Sequence, residues 1–340
     1  TLTLRTGMTV DGGSVNVASL AIAGGAGAGV GAGQLEIRSG IVQGSTVNNF
    51  GMIQLAGPLA TLAATQINNT GTLRGTGFLQ AGENVKTVAG QGQIVAGERM
   101  RGGPGASLQH INSGVVSVIG GEWQVDSALT NSASTGLISA RNAILRFTEL
   151  QNSGGLGITF GVTDIYGDVN NTGQINVSGG ASVTFHDDVA QNGSMIVAAV
   201  GSTRSSAVFF GALVGGGGFT GGVDVYAFGD LRPGASPGSV AMGGNLFLGG
   251  STSTQIELGG LATGQFDQLL VSGNLALGGT LAVETWNDYQ LAPNQQYLIA
   301  NVGGSLFGQF AGLGEGALVG NVGGQDLFIT SAAGDANDIE

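Results

Sequence analysis

Val47-Asn48-Asn49-Phe50-Gly51-Met52-Ile53 returns twenty residues later as Ile67-Asn68-Asn69-Thr70-Gly71-Thr72-Leu73. Both copies put an apolar residue, an Asn and a Gly in the same order and close on an apolar residue. The phrase recurs at Ile111-Asn112-Ser113-Gly114-Val115, at Leu129-Thr130-Asn131 running to Gly136-Leu137, and at Leu150-Gln151-Asn152-Ser153-Gly154. It closes with Val169-Asn170-Asn171-Thr172-Gly173-Gln174-Ile175 and Val189-Ala190-Gln191-Asn192-Gly193. With Asn49, Asn69, Asn112, Asn131, Asn152, Asn171 and Asn192 as markers, the steps are 20, 43, 19, 21, 19 and 21. The long step holds a worn copy at Val88-Ala89-Gly90-Gln91-Gly92-Gln93-Ile94. A period of about twenty residues is the signature of a solenoid.

Between markers the text alternates with period two in short runs, as in Leu35/Ile37, Ile175/Val177 and Val183/Phe185. Such runs, bounded by Gly, Asn, Ser or Thr, read as half-buried strands, and no sustained helical stripe interrupts them. The expected fold is all-β: a right-handed parallel β-helix of about twenty residues per rung, with few or no helices. Each rung lies on the last, so inward Val, Ile, Leu and Phe form rows. The marker Asn residues are expected at corners of positive φ, which Asn and Gly tolerate. Stacked from rung to rung, they can also pass side-chain hydrogen bonds along the axis.

Composition agrees. Gly supplies 67 of 340 residues and charged residues only 9%, while 42% are hydrophobic, enough for a core. The five prolines and the missing three-residue Gly period exclude collagen. A net charge of −12 leaves no basic stripe for nucleic acid. No cysteine is present, which removes disulfides, thiolate metal sites and Cys nucleophiles together. No run is long and apolar enough for a transmembrane segment. The start Thr1-Leu2-Thr3-Leu4-Arg5 has no signal-peptide layout and is what a processed, exported chain would present.

The texture changes at Leu231-Arg232-Pro233-Gly234-Ala235-Ser236-Pro237-Gly238, after which longer strands are expected. The sequence therefore divides into 1–229, the solenoid with Asn-Gly corners, and 230–340, its continuation or a C-terminal β region. The 231–240 block, Gly244-Asn245-Leu246-Phe247-Leu248, Phe266-Asp267-Gln268-Leu269 and Gly278-Gly279-Thr280-Leu281 together resemble the C-terminal passenger region of autotransporter-type and related exported β-helix proteins. The likeness covers roughly 229–330. Pro293-Asn294-Gln295-Gln296-Tyr297 is similar to a further family segment but carries Gln where Gly is common. The resemblance implies an extracellular or cell-surface solenoid. The membrane barrel that follows such passengers is missing from the sequence, so either it has been cleaved away or the chain belongs to exported β-helices without one.

Chemistry-bearing residues are few. His186-Asp187-Asp188 is the densest polar triplet; as chemistry it is a metal or acid/base site, as structure a solvated corner. Asp335 and Asp338 in the tail are the other weak Ca²⁺ candidates, against an acidic, frayed terminus. A polysaccharide-cleaving solenoid needs carboxylates about one repeat apart, and Asp164, Asp168, Asp187 and Asp188 come nearest. Asn68-Asn69-Thr70 and Asn170-Asn171-Thr172 match the glycosylation sequon at repeat corners. Thr1-Leu2-Thr3-Leu4 begins as a bare strand and is a possible subunit contact for head-to-tail association. The expectation is a noncatalytic extracellular structural or adhesive solenoid without a required cofactor. Its partners would be further copies of itself or surface glycans; the alternative is a polysaccharide-active enzyme or glycan-binding module on the same scaffold.

Overall fold

The computed structural model describes residues 1–24, 33–69, 71–81, 85–87, 93–102, 110–112, 114–125, 128–133, 135–222, 224–234, 236–334 and 337–340. At 66, 80, 81, 85–87, 93–102 and 110 only the backbone is described. The worn repeat at 88–92 and Asp335 lie outside these residues. The chain is all-β, a parallel β-solenoid of about ten turns whose equivalent strands are roughly 21 residues apart. No helix among the described residues is long and apolar enough to cross a membrane.

The fold falls into two units, Thr1–Asp168 and Val169–Glu340. The first opens with Leu2–Leu4 paired in parallel to Leu20–Ile22 of the strand Gly7–Ile22. That strand pairs with Gln34–Asn49, which pairs with Met52–Asn69, each in parallel along nearly its whole length. These strands of 16 and 18 residues are far longer than the short runs expected. A strand can bend around a corner without leaving the ladder where a bulge takes up the slack. Register shifts fall between Val10 and Ser14 and between Ile37 and Gly40, beside Gly12, Gly13 and Gly40 at positive φ.

From residue 169 each turn holds three short strands. Ser182–Phe185, Val189–Gln191 and Ser194–Val197 pair in parallel with Ser206–Phe209, Leu213–Gly215 and Gly218–Thr220. The ladder crosses residue 230 without interruption, since Asp230–Pro233 pairs back to Leu213–Gly215 and on to Ser253–Leu258. After 230 the strands stay at three to six residues, and the loops between them lengthen instead. Antiparallel pairing closes this unit. Leu318–Val322 and Gln325–Phe328 form a hairpin, and Ile339 bridges Ala300.

Within both units the core is the row of inward positions. Ile37, Leu55 and Leu73 are buried in the first, and Val183, Phe185, Phe209 and Leu246 in the second. Phe185 and Phe209, in register, stack with centroids 5.0 Å apart. Polar residues share this interior: Asn49, Asn69, Asn131, Asn152 and Asn171 have no exposed surface, and Asn112 almost none.

Candidate functional site

The marker Asn residues do not take the backbone role expected of them. None of the six buried ones has positive φ. They end their strands extended, with the amide turned inward. Asn49 Nδ2 donates to Asn69 Oδ1 at 2.6 Å, Asn112 to Asn131 at 2.8 Å and Asn131 to Asn152 at 2.7 Å. The same Nδ2 groups reach a main-chain carbonyl of the following turn, Thr72 O, Leu137 O and Gly155 O. On the acceptor side, Gly51 N–H donates to Asn49 Oδ1 and Gly114 N–H to Asn112 Oδ1. In Asn49, Asn112 and Asn131 both the Nδ2 and the Oδ1 are thus engaged, as buried polar groups require.

The last marker was placed one residue late. Asn171 pairs in register with Gln191, and its Nδ2 donates to Gln191 Oε1 at 2.8 Å. Gln191 is fully buried, whereas Asn192 is exposed. Positive φ lies at other positions, among them Gly120 (63°), Asn142 (49°) and Phe160 (55°) in the first unit. The Gly of the repeat phrase has a different task. A Cβ on Gly51, Gly71, Gly154 or Gly193 would overlap a carbonyl oxygen of the preceding turn. The repeat therefore encodes close approach of backbones, not a left-handed residue.

Two of the carboxylates named from sequence, Asp188 and Asp338, are engaged in the framework. Asp187 and Asp188 are exposed, and Asp188 Oδ1 accepts the N–H of Ala212 on the next turn. Asp338 is buried and accepts Val302 N–H at 2.8 Å, so the tail around it is docked rather than frayed. Among the described residues no group of three His, Cys, Asp or Glu is placed to hold a metal ion. Of the sequons, Asn68 donates to Asn48 Oδ1, and Asn170 has a buried Oδ1 with no partner. Thr1 to Leu4 contribute the strand Leu2–Leu4, whose parallel partner lies in the same chain. At the turn containing Ala300–Val302, Ile339 bridges Ala300 in the antiparallel sense.

Sequence reading missed Asp267. Its oxygens accept Gly238 N–H at 2.7 Å and Glu257 N–H at 3.0 Å, joining the 230s segment to the strand Ser253–Leu258. Burial pushes the carboxyl up to about 6, the two N–H donors oppose this, and nearby Glu257 and Glu284 add to it. A folded-state value raised above the ordinary one near 3.8 gives stability that is complete below pH 4 and lost as pH rises through 6. Thermal melts should therefore show the midpoint falling between pH 4.5 and 6.5. Asp267→Asn, which supplies one acceptor in place of two, should melt lower throughout but lose that slope.

Outward positions of the second unit carry the other unforeseen feature. Tyr226 and Phe247, in register, stack at 4.7 Å with planes 13° apart. At the neighbouring corner His186 stacks on Phe210 at 5.8 Å and Phe210 on Phe228 at 5.3 Å. Beside Tyr226, Asp224 accepts both Arg204 Nη2 and Asn245 Nδ2 at 2.7 Å. A separate cleft of about 460 Å³ lies at the end of this unit, lined by Leu258, Leu281, Val283, Tyr297, Ile299 and Phe328 among others.

Comparison of the chain with family models, with curated proteins and with solved structures gives no match.

Proposed function

We propose that the chain is a noncatalytic structural or adhesive solenoid, exported to a cell surface or the extracellular space, as the resemblance to passenger-type β-helices implies. One observation carries this reading: in each unit successive turns are joined by main-chain ladders, and buried Asn and Gln amides tie several of those turns together from inside. A solenoid stabilised by nearest-neighbour contacts resists local opening wherever those contacts are uniform. The acidic groups support the same reading, because Asp188, Asp224, Asp267 and Asp338 each hold main-chain or side-chain donors of the scaffold. With only 10 Lys and Arg in 340 residues, an outer surface of this kind presents few tryptic sites.

The test is a pair of measurements on the purified chain. Proteinase K digestion at 37 °C should leave the bulk of the chain intact for hours, as read by gel. A screen for released reducing ends from polysaccharides, with and without Ca²⁺, should stay at background. Rapid digestion would remove the scaffold role, and oligosaccharide release abolished by denaturing the protein would make it an enzyme.

A further inference from the structure

The aromatic column on the outside of the second unit is one side chain short. Register runs from Val208 to Tyr226, Phe247, Ala276 and Phe307 on five successive turns. In-register residues of a parallel stack project from the same face, so these side chains form one line. Tyr226 and Phe247 are in contact, Ala276 contributes only a methyl, and Phe307 beyond it is 55% exposed. The smallest side chain of this line, Ala276, thus sits between two phenylalanines.

We propose that this recess at Ala276 binds a pyranose ring of a neutral glycan between Phe247 and Phe307. Turns are spaced about 4.8 Å, so two of them separate the flanking rings by roughly 9.6 Å. Two van der Waals contacts of about 3.5–4.0 Å use 7–8 Å of this. The remainder exceeds what a flat aromatic layer needs and suits a puckered saturated ring, whose C–H faces lie against the aromatic faces. Hydroxyl groups would meet the polar column alongside, formed by Asp224 with its Arg204 partner, Asn245 and Asn274. The acidic net charge selects against an anionic polysaccharide. The inference deepens the adhesive part of the reading above by naming what is held.

The decisive variant is Ala276→Phe, which completes the aromatic stack and removes no existing contact. Calorimetric titration of the whole chain would use cellohexaose, maltohexaose and mannohexaose. At least one should bind, Phe247→Ala should weaken it tenfold or more, and Ala276→Phe should abolish it while its melting temperature stays equal or rises. Three results overturn the proposal: no binding of any of the three sugars, unchanged binding by Ala276→Phe, or self-association through this face in sedimentation with no sugar bound. Any of these leaves the noncatalytic scaffold untouched, since that reading fails on released oligosaccharide instead.

Discussion

Asn131→Ala should cost the chain about 3 kcal/mol, because it orphans both neighbours of a buried amide column. Asn112 Nδ2 loses its 2.8 Å acceptor, Asn152 Oδ1 loses its 2.7 Å donor, and Gly155 O loses a third bond. An unsatisfied buried group costs about 1–3 kcal/mol. Asn131→Asp should be worse, since a carboxylate sets oxygen against Asn152 Oδ1 and brings an unpaired charge inside. Asn192→Ala is the control. Its side chain is exposed, and the change should stay within about 0.5 kcal/mol. Urea melts of the three variants check this, and equal midpoints for Asn131→Ala and Asn192→Ala would remove the column from the account of stability.

Gly71→Ala should be as damaging, for a steric reason. The added Cβ would overlap the Gly51 carbonyl oxygen, which accepts Thr72 N–H at 2.8 Å. Gly71 N–H is itself bound to Asn49 O at 2.9 Å. The clash is between backbones pinned on both sides, so relief requires the turns to part and the ladder to break locally. Overpacking of this kind costs about 1–3 kcal/mol or more. Gly7→Ala, with nothing within 4 Å of its Cβ and no positive φ, should be nearly silent. Limited proteolysis would place the damage, with new cleavage near residues 50–72 in Gly71→Ala alone.

The solenoid was legible because its constraint repeats. Through the repeat region an inward amide and a glycine packed on the preceding turn's backbone reappear from lap to lap, which writes Asn49, Asn69, Asn112, Asn131, Asn152 and Asn171 at steps the eye can count. Their conformation was not legible, because Asn suits both a left-handed corner and a buried hydrogen-bonded site. Gln191 was passed over for Asn192 since a longer amide can fill the same place from one residue earlier. The outward column at Tyr226, Phe247, Ala276 and Phe307 left no period to find. Laps vary from 17 to 31 residues as loops lengthen, and outer positions are free of the packing that enforces spacing inside. Asp267 stood in a quoted motif, but its partners Gly238 and Glu257 are 29 and 10 residues away, invisible without the fold.

The buried amides all donate in one direction, from Asn49 to Asn69, from Asn112 through Asn131 to Asn152, and from Asn171 to Gln191. The laps joined in this way therefore present the same plug on one side and the same socket on the other. Gene segments encoding one whole lap can be duplicated or lost without leaving a mismatched joint, whereas half a lap cannot. The molecule's length is in this sense a heritable quantity that changes in units of about twenty residues, with selection free to set the count.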